Sequence, residues 1–584
     1  MTRTAFVLAS VLAAFVALAA SPVDAQGVRF KLVVDAPDPP RAALAESLDL
    51  ARWQADEEMT LDLLERLARE SVAQAVRIAA VHGFYDAKAR VAIDRNAQPL
   101  VVTLTVDPGA PTRVRSVAVD VVGPAANDVP LGTQAIAEAR GGWRLPVGER
   151  FRQAGWIEAK ESALRELRRS PYAAARILAS EARVDPQAHA ADLEVRIDSG
   201  PPFRFGDLAV SGLQRYDESL VANFNVIEPG EPYTEAARDQ YVRRLSASGY
   251  FGSVQASIDP QSRDPARARI DVSAIEGPVH RLDGALAYST DTGFGARATY
   301  TNVSIDDAGM QMRLDGRLET KEQLARATLT RPPSAARRID SLAVGAERSD
   351  IENTIETTAG VEYERRGVDE RDTPVLGASF HWDRQEPQGA PSVTSHATYV
   401  QAGWVRRRVD DLYMPTRGYM VDARVGAGIP GLSTRGFGRA RVQAAAWWPI
   451  GRATQLAFRG EAGAVIASER DGIPSLFLFR TGGDTTVRGY GYQSLGLRRG
   501  DATVGARYVV VGSAEAIRWI DEAWGVAAFV DVGDAFDRGA DFDAAIGVGV
   551  GARIRTPIGP FRLDVAYGER TREVRLHFSV GVSF

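Results

Sequence analysis

The C-terminal half of the chain alternates apolar and polar residues with a period of two. Around residue 420, Tyr419, Val421 and Val425 share one face, while Asp422 and Arg424 lie on the other. Charged residues occupy the polar face in segment after segment, which favours a barrel with lipid outside and water inside. A soluble sandwich also alternates, but its apolar face meets a second sheet. At roughly 18 to 20 residues per strand and connection, residues 281–584 predict an antiparallel transmembrane β-barrel of about 16 strands.

The last segment of the chain continues this alternation. Val574, Leu576 and Phe578 face one way, and Arg575 and His577 face the other. Since the first and last strands meet when a barrel closes, this segment is predicted to pair with a first strand near residues 282–289. The predicted seam between the two strands contains Leu282, Leu286, Tyr288, Phe578, Gly581 and Phe584.

An internal repeat with helical periodicity organises the first half of the chain. Gly109, Gly200 and Gly277 follow apolar strands and lie 91 and 77 residues apart, a spacing that suits a small domain. In the third repeat Tyr241 and Leu245 are four residues apart, as on one face of a helix. Each unit is predicted to contain one strand, two helices and two further strands. The predicted units span residues 26–111, 112–201 and 202–280.

Residues 1–25 have the pattern of a secretory signal. Arg3 precedes an apolar run. Val23 and Ala25 occupy the -3 and -1 positions of a candidate cleavage site before Gln26. No later stretch is apolar over the ~18 residues that a membrane helix needs. A form embedded in a bilayer must therefore be a closed barrel, because an open sheet in lipid leaves backbone groups unpaired. The alternative is a soluble periplasmic protein.

Composition narrows the class of protein further. The net charge of -5 and the hydrophobic content of 45% describe neither a nucleic-acid binder nor a disordered chain. The chain contains no cysteine, which excludes disulfides, thiolate metal sites and a cysteine nucleophile.

Residues 481–490 interrupt the alternation with the sequence Thr-Gly-Gly-Asp-Thr-Thr-Val-Arg-Gly-Tyr. A turn between two strands needs neither this length nor an arginine, so the segment is interpreted as a functional loop. Three further motifs lie in predicted strands, at 415–419, 529–534 and 559–564. With this loop, they resemble the BamA and TamA outer-membrane assembly superfamily. The repeats resemble its POTRA domains, the small periplasmic modules of that superfamily.

The resemblance implies that the loop folds back into the barrel lumen. Its motif would be Val487, Arg488, Gly489 and Tyr490. By parity Asp531 lies opposite its apolar strand neighbours and points into the lumen, where the resemblance makes it the partner of Arg488. The resemblance makes Glu515 the second candidate partner.

The resemblance also implies a function, the assembly of other proteins in the outer membrane. The expected clients are unfolded β-barrel proteins or autotransporters, which would be inserted through the seam. The POTRA units are expected in the periplasm. Three units in a chain of this length resemble the TamA branch, whose partner is the periplasmic protein TamB. The alternative is a transporter of the two-partner secretion type, which exports one dedicated protein. No cofactor and no nucleic acid are expected.

An enzyme is the contrasting hypothesis, and the motifs disfavour it. The six histidines are scattered and never show the His-Glu-x-x-His spacing of a zinc hydrolase. Ser433 misses the nucleophile-elbow pattern, because Arg435 occupies the position of the second glycine. We therefore expect neither a catalytic site nor a metal site.

Overall fold

The computed structural model describes residues 28–38, 40–56, 58–289, 291–306, 308–412, 414–451, 453–556 and 559–580. The predicted signal at 1–25 and the seam residues Gly581 and Phe584 lie outside the described residues. The chain divides into two compact bodies, one comprising residues up to 204 with 232–235, and the other comprising 205–231 and the chain from 236 onward. Within the described residues, no helix combines the length and the apolar character that crossing a membrane requires.

Three small α/β units precede the barrel, and each follows the predicted order of strand, helices and two strands. The first contains β1 (Phe30–Asp35), α1 (Pro40–Ser47), α2 (Asp49–Arg52), a 3-10 turn (Trp53–Ala55), α3 (Leu61–Val81), β2 (Lys88–Asp94) and β3 (Leu100–Asp107). The second contains β4 (Arg113–Val122), a 3-10 turn (Pro124–Ala126), α4 (Leu131–Gly141), α5 (Gln153–Arg169), β5 (Arg176–Asp185) and β6 (Ala190–Asp198). The third contains β7 (Phe205–Ser211), α6 (Glu218–Asn223), α7 (Glu235–Ala247), β8 (Phe251–Ile258), a 3-10 turn (Pro265–Arg267) and β9 (Ala268–Glu276).

Each unit forms a three-stranded sheet with its last strand in the centre. The first strand runs parallel to the central strand and the second runs antiparallel to it. Helices pack on one face, and in the second unit Trp156, Leu167 and Tyr172 are buried between helix and sheet. The first and second strands of every unit are therefore sheet edges.

The rest of the chain forms a 16-stranded antiparallel sheet, as the periodicity predicts. Strands follow one another in sequence order, each paired with the next. They are β10 (His280–Ser289), β11 (Gly293–Asn302), β12 (Gln311–Glu319), β13 (Glu322–Thr330), β14 (Arg338–Ile351), β15 (Thr354–Gly367), β16 (Asp372–Pro387), β17 (Val393–Val409), β18 (Gly418–Gly428), β19 (Phe437–Ile450), β20 (Thr454–Ile466), β23 (Tyr508–Trp519), β24 (Trp524–Phe536), β25 (Ala545–Thr556), β26 (Gly559–Gly568) and β27 (Glu573–Val580). The connection between β20 and β23 carries a 3-10 turn (Ser475–Phe477) and a separate hairpin, β21 (Leu497–Arg499) with β22 (Ala502–Val504); another 3-10 turn (Gly539–Asp541) follows β24.

The two faces of this sheet differ as a barrel requires. Apolar side chains on the outer face are exposed, as at Leu286 (90%), Trp448 (71%) and Val574 (68%). On the inner face Asp531 and His577 are buried. The polar residues thus line an interior, and the apolar residues form the outer wall.

The predicted seam lies between β10 and β27, whose Cα atoms come within 8 Å of each other. Leu282, Leu286 and Tyr288 are exposed on β10, and Phe578 is half-buried on β27. Among the described residues no backbone ladder joins these two strands. The pairing of the seam therefore stays a prediction.

The two ends of the barrel are distinguished by the third α/β unit, which lies in the same compact body. The hydroxyl of Tyr250 donates to the carbonyl of Gly309 at 2.7 Å, and the Asn223 side chain donates to the carbonyl of Pro333 at 2.8 Å. Gly309 and Pro333 lie in the turns after β11 and β13, which define the near end. Because turns alternate between ends, the connection from β20 to β23 leaves the barrel at the far end.

Candidate functional site

The connection at residues 467–507 folds back into the barrel and carries the predicted motif. Its two arms pair through backbone hydrogen bonds, 2.8 and 2.7 Å between Phe479 and Ala506 and 2.9 Å in both directions between Thr481 and Leu495. Beyond this stem the chain turns sharply at Gly482 and Gly483, where φ is +101° and +109°. The tip that follows, residues 484–490, reaches the middle of strands β23 to β26.

The stem is fixed to the wall of β15–β17. Arg480 Nη2 lies 2.8 Å from Glu356 Oε2, and the Ser475 hydroxyl donates to Asp383 at 2.7 Å. The ring of Phe477 packs against Tyr399, with centroids 4.6 Å apart. These contacts make the loop part of the barrel interior.

Arg488 is the centre of the site and is 1% exposed. Its Nε and Nη2 donate to the two carboxylate oxygens of Asp531 at 2.7 and 2.9 Å, and its backbone N–H donates to the same group at 3.1 Å. Its Nη1 donates to Glu515 at 2.8 Å. The structure thus brings Arg488 together with both partners that the sequence suggested. A two-point bond of this kind fixes the orientation of the guanidinium as well as its position.

The network extends to Asp564 and Arg553. Asp564 ends the motif at 559–564 but was not assigned to the site, and Arg553 was not noted in the sequence. Arg488 Nη1 also donates to Asp564 at 3.0 Å. Arg553 donates through Nε and Nη2 to Glu515, both at 2.8 Å, and through Nη1 to Asp564. Two arginines and three carboxylates are therefore buried together, each in contact with an opposite charge. Removing one member leaves buried charge without compensation.

An aromatic ring closes the other side of the guanidinium. The Cζ atom of Arg488 lies 3.3 Å from the ring centroid of Phe529, on the same strand as Asp531. Phe529 is itself buried. A desolvated cation over a ring face gains more than an exposed one, so this contact adds to the ionic network.

The residues flanking Arg488 fit the wall closely. Val487 is fully buried in an apolar cluster with Val511 and Ala535. The hydroxyl of Tyr490 donates to the carbonyl of Ile546 at 3.0 Å and accepts the backbone N–H of Arg570 at 3.0 Å. The motif residues 487 to 490 therefore all face protein.

Gly489 links the tip to the last strand. Its φ of +92° favours glycine, and an added Cβ would lie 2.7 Å from the backbone nitrogen of Gly568. Its backbone N–H donates to Nε2 of His577 at 2.9 Å. His577 was noted in the sequence as an inward residue of β27 but was not assigned to the site. Its role depends on a loop 88 residues away, which periodicity cannot reveal.

A stripe of glycines on β25 makes room for the tip. A Cβ on Gly547 would lie 1.9 Å from the carbonyl oxygen of Arg488, and one on Gly549 would lie 2.5 Å from the Phe529 ring. A Cβ on Gly551 would lie 1.8 Å from the carboxylate of Asp564. Three inward-facing glycines at a spacing of two were the available sequence signal for this close approach.

The loop also reaches the other side of the seam. The backbone N–H of Asp484 donates to Asp291 at 3.3 Å, and Asp291 lies in the turn between β10 and β11. The same loop therefore contacts the first hairpin through Asp484 and the last strand through Gly489.

The charged groups of the site are arranged for binding and bracing. Among the described residues, no group of three or more His, Asp or Glu side chains is placed to hold a metal ion. The carboxylates of the network are occupied by arginines. The geometry fixes the loop in position.

Comparison with known proteins agrees with this architecture. A family model described as the Omp85 superfamily domain matches residues 280–584, more than half of the chain. A second, the POTRA model described as a surface antigen variable number repeat, matches residues 203–275. The fold and the loop thus define a class of protein in which an α/β repeat region is followed by a barrel of the outer-membrane type. The chain belongs to the Omp85 superfamily.

A solved structure of BamA has the same fold at low sequence identity. BamA from Haemophilus ducreyi lacking POTRA domains 1–3 is 15% identical, with a TM-score of 0.52 over 81% of this chain and 100% of that chain. CdiB from Escherichia coli is 12% identical, with a TM-score of 0.45 over 82% of this chain and 91% of that chain. The likeness to BamA concerns the fold.

Proposed function

We propose that this protein inserts and assembles β-barrel clients, autotransporters included, in the outer membrane, in the manner of the TamA branch. Membership of the Omp85 superfamily supports a role in insertion or translocation at that membrane. The observation that carries the proposal is the position of the Arg488 network, which joins strands β23 to β26 next to the seam between β10 and β27. A braced wall next to an openable join is what insertion needs.

The mechanism follows from backbone hydrogen bonding in lipid. A parted seam exposes the edges of β10 and β27, whose unpaired N–H and C=O groups seek partners. A client hairpin that pairs with these edges avoids entering lipid with its own backbone groups unsatisfied. The barrel therefore acts as a template for new β-structure, without nucleotide or cofactor.

The loop gives the seam two unequal sides. On the β27 side Arg488, Gly489 and Tyr490 contact β23 to β27 through buried ionic and backbone hydrogen bonds. On the β10 side the loop contacts the turn at Asp291. We propose that the seam opens by movement of the β10 side while the β27 side stays in place.

The three α/β units supply the periplasmic part of the proposal. Each sheet has two edges, and an edge can accept an extended segment through main-chain hydrogen bonds. We propose that clients or a TamB-like partner bind there. Spacers without client contact are the alternative for these units.

A cysteine lock across the seam tests the proposal. Pairs placed at Leu286 or Tyr288 on β10 and at Val574 or Leu576 on β27 introduce the only thiols of the chain, so any disulfide is the designed one. Oxidation is expected to stop client insertion while the barrel stays folded, and reduction is expected to restore insertion. Single-cysteine variants are the control, and unchanged client levels in the oxidised pair would reject a lateral opening.

Export of one dedicated protein is the second candidate that shares this fold. Deleting the gene and quantifying both the outer-membrane fraction and the medium separates the two. Assembly predicts altered levels of several integral outer-membrane proteins. Loss of a single secreted protein with an unchanged membrane fraction would favour export.

A further inference from the structure

A cavity of about 480 Å³ lies in the barrel beside the stem of the loop. Strands β17 to β20 and the loop supply most of its wall. Charged side chains line it in unequal numbers, with five arginines, Arg407, Arg439, Arg441, Arg459 and Arg480, against three carboxylates, Glu356, Asp422 and Glu461. The lining therefore carries an excess of two positive charges.

The carboxylates of the cavity are already paired. Glu461 accepts from Arg441 at 2.8 Å, and Glu356 accepts from Arg480 at 2.8 Å. Asp422 accepts from Arg424, which lies outside the lining, at 3.0 Å. Each acidic group of the lining thus already has an arginine partner.

Three of the lining arginines have no carboxylate within 4.0 Å among the residues that the structure describes. Arg407 donates to the carbonyl of Glu370 at 3.3 Å, Arg439 to that of Phe477 at 2.9 Å and Arg459 to that of Thr485 at 3.2 Å. A guanidinium has five donors, so each keeps donors for a further partner. These three side chains are termed the arginine trio.

The fold holds the trio in orientation. The Cζ atom of Arg439 lies 4.9 Å from the centroid of the Phe479 ring, which stacks the guanidinium. Arg407 and Arg459 occupy one cross-strand row, separated by Met420 and Ala445. Three strand spacings put their Cα atoms roughly 14 Å apart, a span that two arginine side chains can bridge around one ligand. Arg439 lies six residues along β19 from Ala445, roughly 20 Å away, and lines another part of the same chamber.

We propose that this chamber binds a phosphate-bearing anion. Planar guanidinium forks match phosphate oxygens in geometry and charge, and the hydroxyls of Thr485 and Thr486 line the same wall. Like charges gathered in a partly enclosed cavity repel one another until an anion enters. The ligand is either a free phosphate compound or the phosphate of a lipid headgroup.

Calorimetric titration of the full chain in uncharged detergent tests the proposal, with inorganic pyrophosphate at low salt as the probe. Saturable binding at one site per chain is expected. Arg407→Gln and Arg459→Gln are each expected to weaken it about tenfold, and the double variant about a hundredfold, as for charged hydrogen bonds. Soluble dihexanoyl phosphatidic acid is the second probe, since tighter binding of this lipid identifies a headgroup and binding of pyrophosphate alone identifies a free phosphate.

Matched variants guard against a general charge effect. Arg518→Gln with Arg538→Gln removes the same charge from two exposed arginines outside the chamber and is expected to leave binding unchanged. Arg407→Lys keeps the charge without the fork and is expected to bind with intermediate affinity. This variant provides a second test if the double variant fails to fold. No saturable binding, equal binding of chloride, or undiminished binding by a folded double variant would overturn the proposal.

Discussion

Strands β23–β27 and strands β10–β13 flank the same seam but are held in different ways. On the β27 side, inward carboxylates on β23, β24 and β26 contact Arg488 of the loop. On the β10 side, inward charges pair with neighbours on the wall itself, as Arg297 does with Glu319 and Arg317 does with Glu322. One edge of the seam is thus tied to an internal loop through buried charges, whereas the other edge has its ladder, ion pairs along the wall and a backbone contact with the loop at Asp291.

The largest expected effect comes from removing the centre of the brace. Arg488→Ala leaves three buried carboxylates with Arg553 as their only arginine within the network, and we expect a loss of about 3 to 5 kcal/mol in the free energy of unfolding. Guanidinium unfolding of the purified barrel in detergent measures it. The variant is also expected to make the β27 side as mobile as the β10 side.

An exposed pair on the same loop is the control for that substitution. Arg499 lies 2.6 Å from Asp471, and both side chains are partly exposed. Arg499→Gln is expected to cost less than about 1 kcal/mol. Equal losses from the two substitutions would show that burial of the Arg488 network has no special weight.

A steric change sharpens the comparison without altering charge. Gly547→Ala places a methyl group against the carbonyl of Arg488, and we expect the displaced tip to cost roughly 1 to 3 kcal/mol, as for overpacking. Gly438→Ala on β19 is the matched control, because its added Cβ meets nothing within 4 Å. Thermal unfolding of both variants makes the measurement, and a Gly547 variant as stable as the Gly438 variant would contradict the close approach.

The smallest expected effect concerns the contact with the last strand. His577→Phe removes the acceptor for the backbone N–H of Gly489, with an expected cost of about 1 kcal/mol. His577→Gln retains an acceptor and is expected to recover part of the loss. Hydrogen exchange at Gly489 reports the bond directly, and unchanged protection in the Phe variant would remove His577 from the brace.

The sequence predicted the fold because its signal is local. A period of two marks each strand, and glycines after apolar strands mark the ends of the α/β units. The prediction of about 16 strands and of small repeats therefore followed from patterns among neighbouring residues. Arg488 and Asp531 stood out through motif and parity, and Glu515 through the family resemblance. Arg553 and His577 did not, because their contacts depend on register across strands and on where a distant loop returns, which local patterns do not encode.

Distance measurements across the seam test most directly whether the β27 side stays in place while the β10 side moves. Two double-cysteine variants carry spin labels, one at Leu286 of β10 and Val442 of β19, the other at Val574 of β27 and Val442. The distance distributions of the two variants are compared. We expect a broad distribution for the β10 label and a narrow one for the β27 label. The distribution of the β27 label is expected to broaden in the Arg488→Ala variant. A narrow distribution for the β10 label with a broad one for the β27 label, in the protein that keeps Arg488, would contradict a brace on the β27 side.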